Sequence, residues 1–290
     1  MLMRTLFLAV TSTVFGQAAF AQDTQCSSYS ASAFQNAVSG GRLECSVNPD
    51  LMRIRVYQVA LCSSAPTYSD TSSCQFVYNA PAGRVVSISS GVSAPLTGVF
   101  ELEYGSYPYV YIVIDNTVAF QSTFNVPDAV GVMYTEQQPA TTCWTNGNDA
   151  KQDFTSEPQP VNVDCGSTPN SQVSTEIFRS FTDSMVASVT GVPGVGGDTF
   201  DAHLISASGN LASIVSQAGE FISSDADKLV LIQNSASPLV IDENTTNIDF
   251  GFATTNRMNV MFLPCMINSN PDECAAYSFT TGLQINATAQ

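Results

Sequence analysis

Tyr107-Pro108-Tyr109-Val110-Tyr111-Ile112-Val113-Ile114, closed by Asp115, is the stretch of this 290-residue chain that decides the fold class. Successive side chains of an extended strand point to opposite faces. Val110, Ile112 and Ile114 then share one face, and Tyr107, Tyr109, Tyr111 and Val113 share the other. The run is far shorter than the about 20 apolar residues of a spanning helix, so it reads as a buried strand.

The same texture extends in both directions. Met52, Ile54 and Val56 alternate with Arg53, Arg55 and Tyr57, the period of a half-buried strand. Polar residues 63–73 and a resumed strand at 75–79 predict a hairpin, and Pro81-Ala82-Gly83 predicts a turn. Phe100, Leu102 and Tyr104 alternate with acids. If that segment paired with the one before it, Arg53 and Arg55 would face Glu101 and Glu103. Further strands are expected at 119–124, 129–134, 229–232, 239–241, 248–252, 258–263 and 277–285, and less clearly within 176–189. Residues 253–257 would join two of them as a hairpin. A short helix is expected at 31–38, ended by Gly40-Gly41. Many short strands with frequent turns predict an all-β, antiparallel sandwich or jelly-roll type, as one large or two consecutive β domains. The Pro- and Asn-rich stretch 136–172 divides an N-terminal β domain (22–135) from a C-terminal one (173–290), as a loop or linker.

The first 21 residues read as a signal peptide: Arg4, an apolar run from Leu6 to Phe20, and Ala19-Phe20-Ala21 as the small-x-small cleavage pattern. The chain is thus expected to be secreted, periplasmic or surface-located, with no transmembrane segment after cleavage. All eight cysteines lie beyond Ala21, and an even count in an exported chain predicts disulfides. Short loops close at the least entropic cost, which favours the sequential pairs Cys26–Cys45, Cys62–Cys74, Cys143–Cys165 and Cys265–Cys274. Zinc is disfavoured, because no C-x-x-C occurs and His203 is the only histidine. A formal net charge of −16 repels phosphate backbones and anionic membranes, so nucleic acid is not an expected partner.

Catalytic motifs are missing from the sequence. There is no G-x-S-x-G, S-x-x-K or H-E-x-x-H string, and no catalytic residue is assigned. The Gly191–Gly197 cluster lacks the lysine of a phosphate loop and reads as a turn. Asp198, Asp201 and His203 form one compact set that could take a divalent ion through oxygen and imidazole; the plainer alternative is a loop edge with a solvated histidine. Asn146, Asn148, Asp149 and Asp153 offer oxygens for calcium, or else Asx-turns that use the same residues without metal. Asp242, Glu243, Asn244 and Asp249 raise the same question with weaker spacing.

Tyr107, Tyr109 and Tyr111, about 7 Å apart on one strand face, are the candidate binding residues, with Trp144 as a second aromatic platform. Flat rings with a polar tip suit a sugar or a partner protein; packing beneath the 136–172 segment is the competing expectation. Three functions follow. The first is a non-catalytic binding module for a glycan or protein at the cell surface. The second is a structural subunit of a fibre, coat or envelope assembly, in keeping with a homo-oligomer and a donated C-terminal strand. The third is a carboxylate-dependent hydrolase.

Overall fold

The computed structural model describes residues 24–40, 43–89, 102–127, 141–150, 161–181, 186–194, 197–217, 220–245, 248–262, 276–280 and 284–289. The leader, the 129–134 strand, Asp153 and the Cys265–Cys274 pair lie outside the described residues.

The chain is all-β and antiparallel, with one α-helix among the described residues. That helix, α1 (Ala31–Ser39), starts where the Ser30 hydroxyl accepts from the Ala33 amide, and Phe34 and Val38 give it one buried face. The strands are β1 (Leu43–Val47), β2 (Leu51–Cys62), β3 (Cys74–Ser89), β4 (Gly105–Asp115), β5 (Thr117–Gln121), β6 (Thr123–Asn125), β7 (Thr142–Thr145), β8 (Val163–Cys165) and β9 (Ser174–Ile177). They continue with β10 (Ser188–Pro193), β11 (Thr199–Ser206), β12 (Ile214–Gln217), β13 (Glu220–Ser223), β14 (Ala226–Ile241), β15 (Ile248–Ala253), β16 (Met258–Phe262), β17 (Ala276–Thr280) and β18 (Gln284–Ala289).

The principal sheet has eight strands, in the order β10-β11-β14-β4-β2-β5-β9, with β3 added along β2. β3 runs the whole length of β2, while β4 and β5 share the other flank of β2. Strands from both sides of the 136–172 segment therefore build one sheet. Its inner face gathers Met52, Ile54, Val59, Leu61, Ile112, Ile114, Leu204 and Leu231 in one buried cluster. Burying a side chain of this size contributes about 1.5–3 kcal/mol, so the alternation fixes which face turns inward. Ile248, Phe250 and Phe252 of β15 join the same cluster and bring the β15–β18 ribbon against that face.

A second cluster unites Phe34 of α1, Phe120, Phe124, Val260 and Phe262 with the Cys26–Cys45 and Cys143–Cys165 disulfides. Buried polar pairs tie in the C-terminal strands. Asn162 exchanges two hydrogen bonds with Ser278, and the fully buried Glu176 carboxylate accepts from the Thr280 amide and hydroxyl, both at 2.6 Å.

Three of the expected disulfides form, Cys26–Cys45, Cys62–Cys74 and Cys143–Cys165, the second at the tip of the β2–β3 hairpin. Several pairings differ from expectation. Arg53 stands opposite Ser87 and Ala119, and Arg55 opposite Val85, while Glu101 lies outside the described residues. β15 and β16 do not form a hairpin: β15 pairs with β18, and β16 lies between β1 and β17. The C-terminal strands β17 and β18 thus have partners within the chain. The 136–172 segment is not all loop, because β7 and β8 extend a small sheet from β6.

Candidate functional site

The outer face of the principal sheet carries its own side-chain cluster, distinct from the inner core. Ala60, Cys62, Tyr111, Val113, Ile205, Val230 and Ile232 are buried there, with Tyr57, Tyr68, Cys74 and Tyr109 partly buried around them. Register explains the grouping. Ala60, Tyr111, Ile232 and Asp201 lie in one row across β2, β4, β14 and β11. Val113, Val230, His203 and Ser188 form the next, across β4, β14, β11 and β10.

Two backbone excursions bound this face. The loop 63–73, closed by Cys62–Cys74, is held internally: the Thr67 hydroxyl accepts from the Ser69 and Asp70 amides, and Asp70 accepts from the Ser72 amide. That amide holds the Asp70 carboxyl below its ordinary pKa. The loop sets Tyr68 against His203, ring centroids 5.3 Å apart. On the other side, residues 80–83 bulge out of β3, and Ala82 accepts a hydrogen bond from Arg55. Gly83, at φ +67°, lets this bulge lie on the side chains of Arg55 and Tyr57, where a Cβ would come within 3 Å of both.

Between the excursions stands Tyr57. Its hydroxyl donates to Asp115, and the Lys228 ammonium lies 4.9 Å from its ring centroid. Burial, then the Asp115 charge, raises the Tyr57 pKa above its ordinary value. Arg55 meets the same carboxylate at 3.8 Å. Burial also raises the pKa of Tyr111.

The tyrosine stripe is divided. Tyr109 and Tyr111 share the outer face, but Tyr107 packs in the inner core with Val110. The cause is a register break: residues 235–238 of β14 bulge opposite Pro108, between Asn234 opposite Tyr109 and Leu239 opposite Tyr107. Tyr107 is 3 % exposed; its hydroxyl donates to the Glu103 carbonyl and accepts from Gln75. Trp144 is buried in β7.

The three residues of the 198–203 set face separate donors. Asp198 accepts from the Gln233 side chain and the Ala236 amide, Asp201 accepts from the Gly191 amide, and the His203 Nδ1 is 2.7 Å from the Ser188 hydroxyl. His203 is 7 % exposed, which replaces the expected solvated histidine: position 203 falls on β11 beneath Tyr68, not at a loop edge. In the 146–149 stretch Asn146 accepts from the Asn148 amide in an Asx-turn and donates to Asp164 and the Val161 carbonyl, while Asp149 accepts from the Thr175 hydroxyl. Asp242 likewise caps the Asn244 amide. Among the described residues no three His, Cys, Asp or Glu side chains converge as a metal set.

The sequence reading missed Tyr57, Tyr68, Ser188 and Lys228. The staple around 63–73 was the available signal for Tyr68, since a closed short loop must fold onto one face of its own hairpin.

Burial holds the His203 pKa below 6.5, with Asp201 opposing in part. The unfolded chain therefore takes up this proton first, and stability falls as pH drops through 6.5 towards the folded value. Urea midpoints should decrease from pH 7.5 to pH 5.5, and His203→Asn should flatten that slope. An equal slope in the variant would show that another group controls it. With one histidine in the chain, the comparison is clean.

Compared with known proteins, the chain matches no family model, no curated protein and no solved structure. No helix among the described residues is long and apolar enough to cross a membrane.

Proposed function

We propose that this protein is an exported, non-catalytic binding module, working at a cell surface or in a periplasm, that recognises a glycan or protein through the outer face of its principal sheet. One observation carries the reading: Tyr57, Tyr68 and Tyr109, each partly exposed, come from separate segments onto one face around a buried floor. Tyrosine offers a rigid apolar plate with a polar tip, which suits a sugar ring or a protein hot spot at low conformational cost. Three disulfides fit an oxidising compartment outside the cytoplasm.

The test is a screen of immobilised glycans and extracted surface proteins, comparing the native chain with a Tyr57→Ala/Tyr109→Ala variant. A bound species whose affinity drops at least tenfold in the variant supports the reading. Equal retention of both proteins, or no retention of anything by the native chain, defeats it.

A second reading, the subunit of a fibre, coat or envelope assembly, rests on β3. Among the described residues this 16-residue strand is paired on one side only, and Phe76 and Val85 are 41 % and 50 % exposed. Open edges recruit strands, although Pro81 and the bulge interrupt this one. Light scattering after size exclusion separates the two readings: a monomer at high concentration counts against assembly.

A further inference from the structure

The three described disulfides are not equally sheltered. Cys26 and Cys45 have no exposed surface, and Cys143 and Cys165 are at most 5 % exposed; all four belong to the second core cluster. Cys62–Cys74 lies elsewhere, on the outer face at the end of the β2–β3 hairpin. Cys62 is fully buried, with Tyr109 of β4 standing opposite it on one flank. Cys74 is only partly buried, and it belongs to β3, which pairs with β2 alone among the described residues. Phe76, two residues on and therefore on the same face of β3, is exposed as well. Residues 56–83 contain Asp70 and no lysine or arginine. Glu103 joins Asp70 at this end of the hairpin, its amide donating to the Gln75 side chain.

We propose that the Cys74 Sγ is a thiol-exchange site for a small thiol that brings no carboxylate, and that exchange there unties the loop setting Tyr68 against His203. A thiolate attacks one sulfur of a disulfide in line with the bond that breaks. For Cys62 that line enters from the β4 side, past Tyr109; for Cys74 it enters from the open flank of β3. The attacking thiolate bonds to the Cys74 Sγ, the Cys62–Cys74 bond breaks, and the Cys62 sulfur leaves as a thiolate that takes a proton from water. One disulfide replaces another, so no further oxidant or reductant enters. The net charge of −16, with Asp70 and Glu103 at this end, repels an anionic thiol. The loop 63–73 then keeps only its own hydrogen bonds, such as those accepted by Thr67 and Asp70. The other two bridges, in the second cluster, stay closed.

The experiment incubates the native, oxidised protein with cysteamine or glutathione at 50 and 300 mM NaCl. Samples are quenched with acid, unfolded and alkylated, and the state of each cysteine is read by peptide mass spectrometry, Cys265 and Cys274 separately. A mixed disulfide should appear on Cys74, with Cys62 alkylated, at least tenfold faster than Cys26–Cys45 or Cys143–Cys165 opens. Per thiolate, cysteamine should react at least threefold faster than glutathione at low salt, and the ratio should shrink at high salt. In the exchanged protein the ring resonances of His203, the one histidine of the chain, should shift. No exchange at Cys74, an adduct on Cys62 in its place, or equally fast opening of either other pair overturns the site. Glutathione matching cysteamine at both salts overturns the thiol class. Unchanged His203 resonances overturn the release of Tyr68.

Discussion

A chain refolded with its thiols kept reduced should not regain the native fold. The three disulfides close sequence separations of 19, 12 and 22 residues. Restricting the unfolded chain over loops of that size is worth about 3 kcal/mol each. Together that is about 9 kcal/mol, comparable to the whole 5–15 kcal/mol stability of a typical domain. Cys26, Cys45, Cys62 and Cys143 have no exposed surface, so reductant reaches them slowly in the folded protein. The measurement is therefore refolding from urea with and without reductant, followed by near-UV circular dichroism, with intact mass confirming the thiol count. A reduced chain with a native spectrum and an unchanged urea midpoint would show that packing alone holds the sheets.

Glu176→Leu should cost about 4 kcal/mol, the largest effect expected of a single substitution here. The carboxylate is fully buried and accepts two 2.6 Å hydrogen bonds from Thr280. Leucine keeps much of the volume but leaves a buried amide and hydroxyl without that acceptor, and each such loss costs about 1–3 kcal/mol. The effect should appear as a lower urea midpoint with an unchanged slope. Glu176→Gln, which keeps an acceptor oxygen, should recover more than half of the loss. A midpoint within about 0.5 kcal/mol of native for Glu176→Leu would mean that β17 gains little from this anchor.

The parts legible in the sequence were those set by neighbours along the chain. β2 and β4 follow from their runs of alternating apolar residues, α1 from Ser30 and its apolar spacing, and the three described disulfides from the low cost of closing short loops. What stayed illegible depends on contacts between distant segments. Nothing local says that Ile248–Phe252 pairs with the last strand instead of the next one. The bulge at 235–238 lies over a hundred residues from Tyr107, yet it decides that this ring turns inward while Tyr109 and Tyr111 turn outward. His203 looked solvated because Asp198, Asp201 and the glycine-rich turn precede it closely; Tyr68, on a loop of another hairpin, packs over it. The tyrosine and histidine sets, read apart in the sequence, occupy adjoining rows of one face because β14 joins β4 to β11.

The interleaving of the principal sheet also governs how the chain can be made. β4 must wait for β14, which begins more than a hundred residues later, to cover its second flank. Until then a newly synthesised chain presents the Tyr109–Asp115 backbone as a bare template, the condition in which strands capture strangers. A fragment ended in the 136–172 segment would stay in that condition permanently and should precipitate or dimerise through β4. Completion of the N-terminal half thus belongs to the last third of the polypeptide.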